Sequence, residues 1–133
     1  MNPRYTSVAT RAFHRCEYCH APEVVFNFPF EVEHIIPLVR NGVDASLNWA
    51  LACRSCNLHK WSYVTGIDPL TESTAPLFHP RINIWSEHFK IGIESGEIIG
   101  LSSIGRATVV CLQMNTENQL LARKQWVRLG VFP

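Results

Sequence analysis

Four cysteines in two C-x-x-C pairs, Cys16-Glu17-Tyr18-Cys19 and Cys53-Arg54-Ser55-Cys56, constrain this chain more than any other feature. Two intervening residues let a tight turn bring both sulfurs to about 2.3 Å from one ion. Two such pairs in one short segment predict a tetrahedral zinc site, against the plainer readings of a thioredoxin-like redox pair or coincidental cysteines. In a cytosol the thiols stay reduced, so a disulfide scaffold is not expected. Residues 20–52 are too many for a minimal finger; they predict a folded insert whose ends the zinc draws together. The fifth cysteine, Cys111, stands in an apolar run and reads as a buried, inert thiol.

With 133 residues the chain is one ordinary domain, and 47% hydrophobic residues exclude a disordered or low-complexity protein. The formal net charge of +1 means that any basic surface for nucleic acid must be local. No apolar run approaches a membrane span, and the first residues lack a signal-type apolar stretch. A soluble, cytoplasmic protein without membrane contact is the expectation. Gly66, Asp68, Pro69, Thr71, Ser73, Thr74 and Pro76 cluster as a loop would, which suggests a core at 1–66 and an extension at 67–133 packed on it.

Periodicity predicts a short helix near 5–14, a strand over 28–35, a loop with a turn at Asn41-Gly42, a strand over 47–52 and a helix over 54–62. In the extension it predicts strands near 97–101 and 106–113 and a helix from about 116 to 129. The fold class is α+β.

The insert carries the chemistry. Glu31, Glu33 and His34 end the first strand, the two acids on one face and the imidazole on the other. Asn48 opens the second strand, and Asn57 and Lys60 share one face of the following helix. The string EHIIPL…NG…SLNWALACRSCNLHK resembles an HNH endonuclease of the ββα-metal fold on a four-cysteine zinc scaffold, over about residues 13–62. Residues 78–133 resemble the C-terminal extension of some small stand-alone bacterial and cyanobacterial HNH proteins.

The resemblance implies a metal-dependent hydrolase of phosphodiester bonds in DNA, with RNA as a less expected substrate. His34 aligns with the general base, a role an imidazole titrating near neutrality suits. Glu33 aligns with the acidic ligand of the catalytic cation, where the family often has Asp. Asn57 aligns with a second oxygen ligand, where many relatives have His. Asn48 aligns with the Asn that ties down the loop behind the base. Cys16, Cys19, Cys53 and Cys56 would hold the structural zinc. Oxygen ligands suit a separate hard cation, Mg²⁺ by default, with Mn²⁺ or Ni²⁺ as options. Lys60 would set an ammonium beside that cation for a phosphate oxygen, and Arg54 is a weaker phosphate contact.

Taken singly, each residue has a plainer reading: a solvated strand acid for Glu33, a satisfied core or surface histidine for His34, a turn cap for Asn48, a first-turn helix residue for Asn57, an exposed amine for Lys60. Glu31 reads either as an acid supporting the ligands or as an exposed strand residue. His14 and His20 flank the first cysteine pair, but four cysteines suffice without them; His59 reads as surface. In the extension, Arg81, Arg106, Arg123, Lys124 and Arg128 suggest a DNA groove or a dimer surface, against packing for the aromatics and solvent for most charges. The rival function is a non-catalytic zinc module that binds nucleic acid or protein. Specificity, pathway and oligomeric state are not written in the sequence.

Overall fold

Between the two cysteine pairs the chain folds into a hairpin that presents the charged end of its first strand to a helix. The computed structural model describes residues 2–133. Strands β1 (Glu31–His34) and β2 (Trp49–Ala52) pair antiparallel, with Glu31 opposite Ala52 and His34 opposite Trp49. Helix α2 (Arg54–Lys60) follows directly. Its N-cap is Cys53, whose sulfur accepts the Cys56 N–H at 3.4 Å. Helix α1 (Tyr5–Arg11) packs against the hairpin through the buried Val8 and Ala9. Ala50, Leu51 and Ala52 are fully buried. This β–β–α unit fits the ββα-metal core.

Both strands are shorter than their apolar runs. Residues 46–48 form a 3-10 turn before β2, and a second such turn covers 38–40. Asn41 then takes a left-handed φ of 65°. Gly42 is required by close approach: a Cβ there would lie 1.8 Å from the Ile36 carbonyl oxygen.

Beyond residue 62 the structure departs from expectation in two places. The loop-like segment around 66–76 contains a hairpin, β3 (Thr65–Ile67) with β4 (Thr74–Pro76). Its turn is organised by the buried carboxylate of Asp68, which accepts the Leu70 N–H, the Thr71 hydroxyl and two guanidinium N–H groups of Arg106, both at 2.9 Å. The strand expected near 106–113 is a helix, α4 (Ser103–Cys111). Ser102 caps it by accepting the Gly105 N–H at 3.0 Å, so residues 103–105 form the helix's first turn. Gly105 lets α4 close on the preceding helix α3 (Trp85–His88), since a Cβ would sit 2.0 Å from the His88 oxygen. Strands β5 (Phe89–Gly92) and β6 (Glu97–Gly100) form a third two-stranded sheet. Helix α5 (Glu117–Leu129) lies where the sequence predicts a helix, and it starts at a Thr116–Gln119 capping box.

One hydrophobic cluster runs through both halves, joining the four zinc-motif cysteines and Leu51 to Phe78, Phe89, Ile98, Leu112 and Met114. The Trp85 indole N–H donates to the Tyr18 carbonyl at 2.8 Å, and Gln119 donates to the Ser55 hydroxyl at 2.8 Å. Among the described residues no helix is long and apolar enough to cross a membrane.

Candidate metal and active site

The sulfurs of Cys16, Cys19, Cys53 and Cys56 all lie within 4.8 Å of one another, and all four residues are buried. A tetrahedron with metal–sulfur bonds of about 2.3 Å has edges of about 3.8 Å. The Cys19–Cys53 separation of 3.7 Å matches. Hydrogen bonds to the three other sulfurs, together with burial, push the Cys56 thiol well above its ordinary range. Four crowded, buried thiols are hard to ionise alone and are satisfied together by a soft divalent cation, so the site is compatible with structural zinc. His14, His20 and His59 are engaged elsewhere. His14 meets Glu23 at 2.7 Å, His20 stacks on Trp85 at 4.0 Å, and His59 Nδ1 lies 2.8 Å from the Ser55 carbonyl oxygen.

At the other end of the hairpin, Glu33, His34 and Asn57 line one open cleft of about 340 Å³, together with Pro37, Leu38, Val39 and Trp61. Strand alternation sends Glu31 and Glu33 toward α2 and His34 to the opposite face, as the sequence predicts; the cleft lies at the strand's end, where both faces are reached. His34 Nε2 lies 2.9 Å from Asp44 Oδ1. The His34 and Arg4 hydrogen bonds hold the Asp44 carboxyl down at about 2. Asp44 also accepts the Trp49 indole N–H at 3.2 Å. The base candidate is thus tied to a carboxylate that nothing in the spacing of the sequence announces.

Asn48 is buried and pins the intervening loop. Its Oδ1 accepts the Ile36 N–H, and its Nδ2 donates to the carbonyls of Ile36 and Val43, each at 2.8 Å. Alanine here would leave three backbone groups unpaired, two of them beside His34. Asn48→Ala is expected to lower unfolding free energy by about 2–4 kcal/mol, read by urea denaturation.

Asn57 donates through Nδ2 to Glu31 Oε2, and its Oδ1 has no hydrogen bond among the described residues. That orientation leaves an oxygen free for a cation. Glu31 therefore acts on Asn57, and it also pairs with Arg54 at 3.1 Å. Glu33 is 6% exposed, its carboxylate held between the Tyr18 hydroxyl and the Lys60 ammonium. Burial pushes the Glu33 carboxyl up, against the pull of Lys60 and Tyr18.

Lys60 does not stand where a phosphate could meet it. It is 1% exposed, and its ammonium donates to the Ile35 carbonyl at 2.8 Å and to Glu33 at 3.3 Å. The three-residue spacing from Asn57 is helical, but the side chain runs under β1 instead of into the cleft. Three arginines of the suggested groove are likewise spent inside the fold. Arg81 pairs with Glu17, Arg106 with Asp68, and Arg123 is 2% exposed and donates to the Gly96 and Met114 carbonyls. Lys124 and Arg128 are exposed.

Residues 16–62 match the family model described as HNH endonuclease. This segment is an HNH endonuclease domain. The match begins at the first zinc-motif cysteine and ends just beyond α2, so it spans the hairpin, the helix and all four cysteines of the β–β–α unit. No curated protein and no solved structure matches the chain. The match over residues 16–62 points to nuclease-type chemistry on nucleic acid; residues 1–15 and 63–133 lie outside it.

Proposed function

We propose that the protein is a metal-dependent endonuclease that hydrolyses phosphodiester bonds in DNA. The observation that carries this reading is the single cleft shared by Glu33, His34 and Asn57. His34 is the general base. Its Nε2 is taken by Asp44, which leaves Nδ1 to receive the proton of the attacking water. The water oxygen bonds to phosphorus, the bond to the 3′ oxygen breaks, and solvent protonates that oxygen. Asp44 holds the imidazole in one orientation, with Nδ1 left as the acceptor, the logic of a carboxylate behind any catalytic histidine.

Glu33 and Asn57 would hold a hard divalent cation, Mg²⁺ by preference and Mn²⁺ or Ni²⁺ as substitutes, through carboxylate and amide oxygen. Such an ion supplies Lewis-acid stabilisation at the scissile phosphate and the leaving oxygen. Glu31 turns the Asn57 oxygen toward the cleft. Lys60 supplies a positive charge that opposes the rise burial imposes on the Glu33 carboxyl. The four cysteines hold zinc with no open position, so zinc is structural.

A second reading, a zinc module that binds nucleic acid or protein without cutting, draws on that same Lys60–Glu33 pair, which occupies the carboxylate. Zinc-loaded protein freed of other cations is expected to leave supercoiled plasmid intact and to nick it once Mg²⁺ or Mn²⁺ is added. Intact plasmid and intact single-stranded DNA with every divalent cation tried would overturn the nuclease and leave the module. An RNA transcript in parallel separates the two nucleic acids.

A further inference from the structure

The residue that closes α2 is built against its own backbone preference. Trp61 has φ 48° and ψ −124°, and the Tyr63 N–H donates to the Lys60 carbonyl at 2.9 Å across it. This is the first central position of a type II′ turn, which glycine normally fills because a Cβ is strained there. The indole gains little packing in return, being 71% exposed. It lines the His34 cleft and also a second cleft of about 330 Å³ formed by Glu31, Arg54 and Asn57, so it stands between the two, beside Asn57. Tyr63 meets it edge-on at 5.7 Å, which limits the swing of the ring. Across the cleft, Leu38 and Val39 are 53% and 83% exposed. Arg40 binds the Ser62 carbonyl and ties that apolar turn to the turn carrying Trp61.

An exposed aromatic face and an apolar wall line the same cleft as His34 and Asn57, tied to each other through Arg40. Of the cations around it, Arg54 pairs with Glu31, Arg4 with Asp44, and Lys60 is buried, which leaves the exposed Arg40, held on the Ser62 carbonyl, without an acidic partner among the described residues. Duplex binding is mostly phosphate electrostatics, and this rim offers little of it. Stacking is available to any base whose face is uncovered, and in a paired duplex both faces are covered.

We propose that Trp61 is the stacking platform for an unpaired base adjoining the scissile phosphate, so that the preferred substrate is a single-stranded, flapped or frayed DNA. This rests on the nuclease reading for the words "scissile phosphate", while the binding itself does not depend on cleavage. The test uses the full chain carrying His34→Ala, so that nothing is cut, and fluorescence anisotropy with a labelled single strand and a blunt duplex of the same length. Adding Trp61→Gly is expected to weaken single-strand binding about 5- to 150-fold, the range for loss of one stacked base. Duplex binding should change less than twofold. Trp61→Phe should keep most of the single-strand affinity, and Trp61→Leu should lose it, which separates stacking from bulk apolar contact. The melting temperature of Trp61→Gly should equal or exceed that of the parent, because the turn is relieved.

Equal loss on both DNAs, no loss on either, or Leu matching Phe would overturn the proposal. So would a dimer that becomes a monomer with unchanged DNA affinity, which would assign this face to a second copy of the chain. Trp61-dependent strand binding by a wild type that cuts nothing would sink the nuclease and keep the platform; cutting with Trp61-independent binding would do the reverse.

Discussion

His34→Ala is expected to reduce metal-dependent plasmid nicking by about 10²–10⁴-fold while leaving the melting temperature and zinc content close to those of the wild type. The magnitude is that of a lost general base. The expectation of an intact fold comes from position. His34 is the last residue of β1, its side chain is part-exposed, and its one side-chain hydrogen bond is to the exposed Asp44. Removing it uncovers no buried partner, whereas replacing Glu33 would strand the ammonium of Lys60 inside the protein. His34 is for that reason the cleaner probe of chemistry. Asp44→Asn sharpens the reading. An amide can still accept from the imidazole and hold its orientation but brings no negative charge to the site, so activity should fall by a smaller factor than with His34→Ala. Nicking by His34→Ala at the wild-type rate would remove the base from this cleft, and with it the proposed mechanism.

The parts of the site that could be read in advance are those fixed by local geometry. Alternation along β1 separates Glu33 from His34, and two residues between cysteines suit one metal; both follow from covalent spacing. What escaped the sequence is direction and long-range pairing. Lys60 lies on the expected face of α2, yet its chain is long enough to run beneath β1 and end at the Ile35 carbonyl, which spacing alone does not decide. Asp44 sits in an irregular loop, and it reaches His34 only because Asn48 folds that loop back through three backbone contacts. The run Ala107-Thr108-Val109-Val110 has the composition of a strand. It became helical because Ser102 caps it and because Ala107, Thr108 and Leu112 fall on one buried face. Tertiary burial here outweighed a β-branched preference of a fraction of a kcal/mol per residue.

Loss of zinc is expected to unfold the whole chain in one transition instead of melting residues 16–62 alone. Apparent binding free energies of structural zinc are about 10–16 kcal/mol, comparable to or larger than the total stability of an ordinary domain, about 5–15 kcal/mol. The four cysteines are members of the main hydrophobic cluster, so ligand loss also puts a hole in the core. That cluster continues without a break into Phe78, Phe89, Ile98, Leu112 and Met114. Helix α5 reaches the same place from the far side: Arg123 and Trp126 line a cavity with Cys19 and Cys53, and Arg123 is fixed there by the Gly96 carbonyl at 2.9 Å. The C-terminal part outside the family match is therefore packed on the cysteine cluster through the same core. Cys53→Ser, which keeps a side-chain acceptor at the N-cap of α2 and so isolates the loss of a metal ligand, or treatment with a strong chelator should abolish near-ultraviolet circular dichroism and every cooperative thermal transition, with zinc release followed colorimetrically. A second, zinc-independent transition retained by residues 67–133 would show instead that the extension folds by itself and merely rests on the HNH domain.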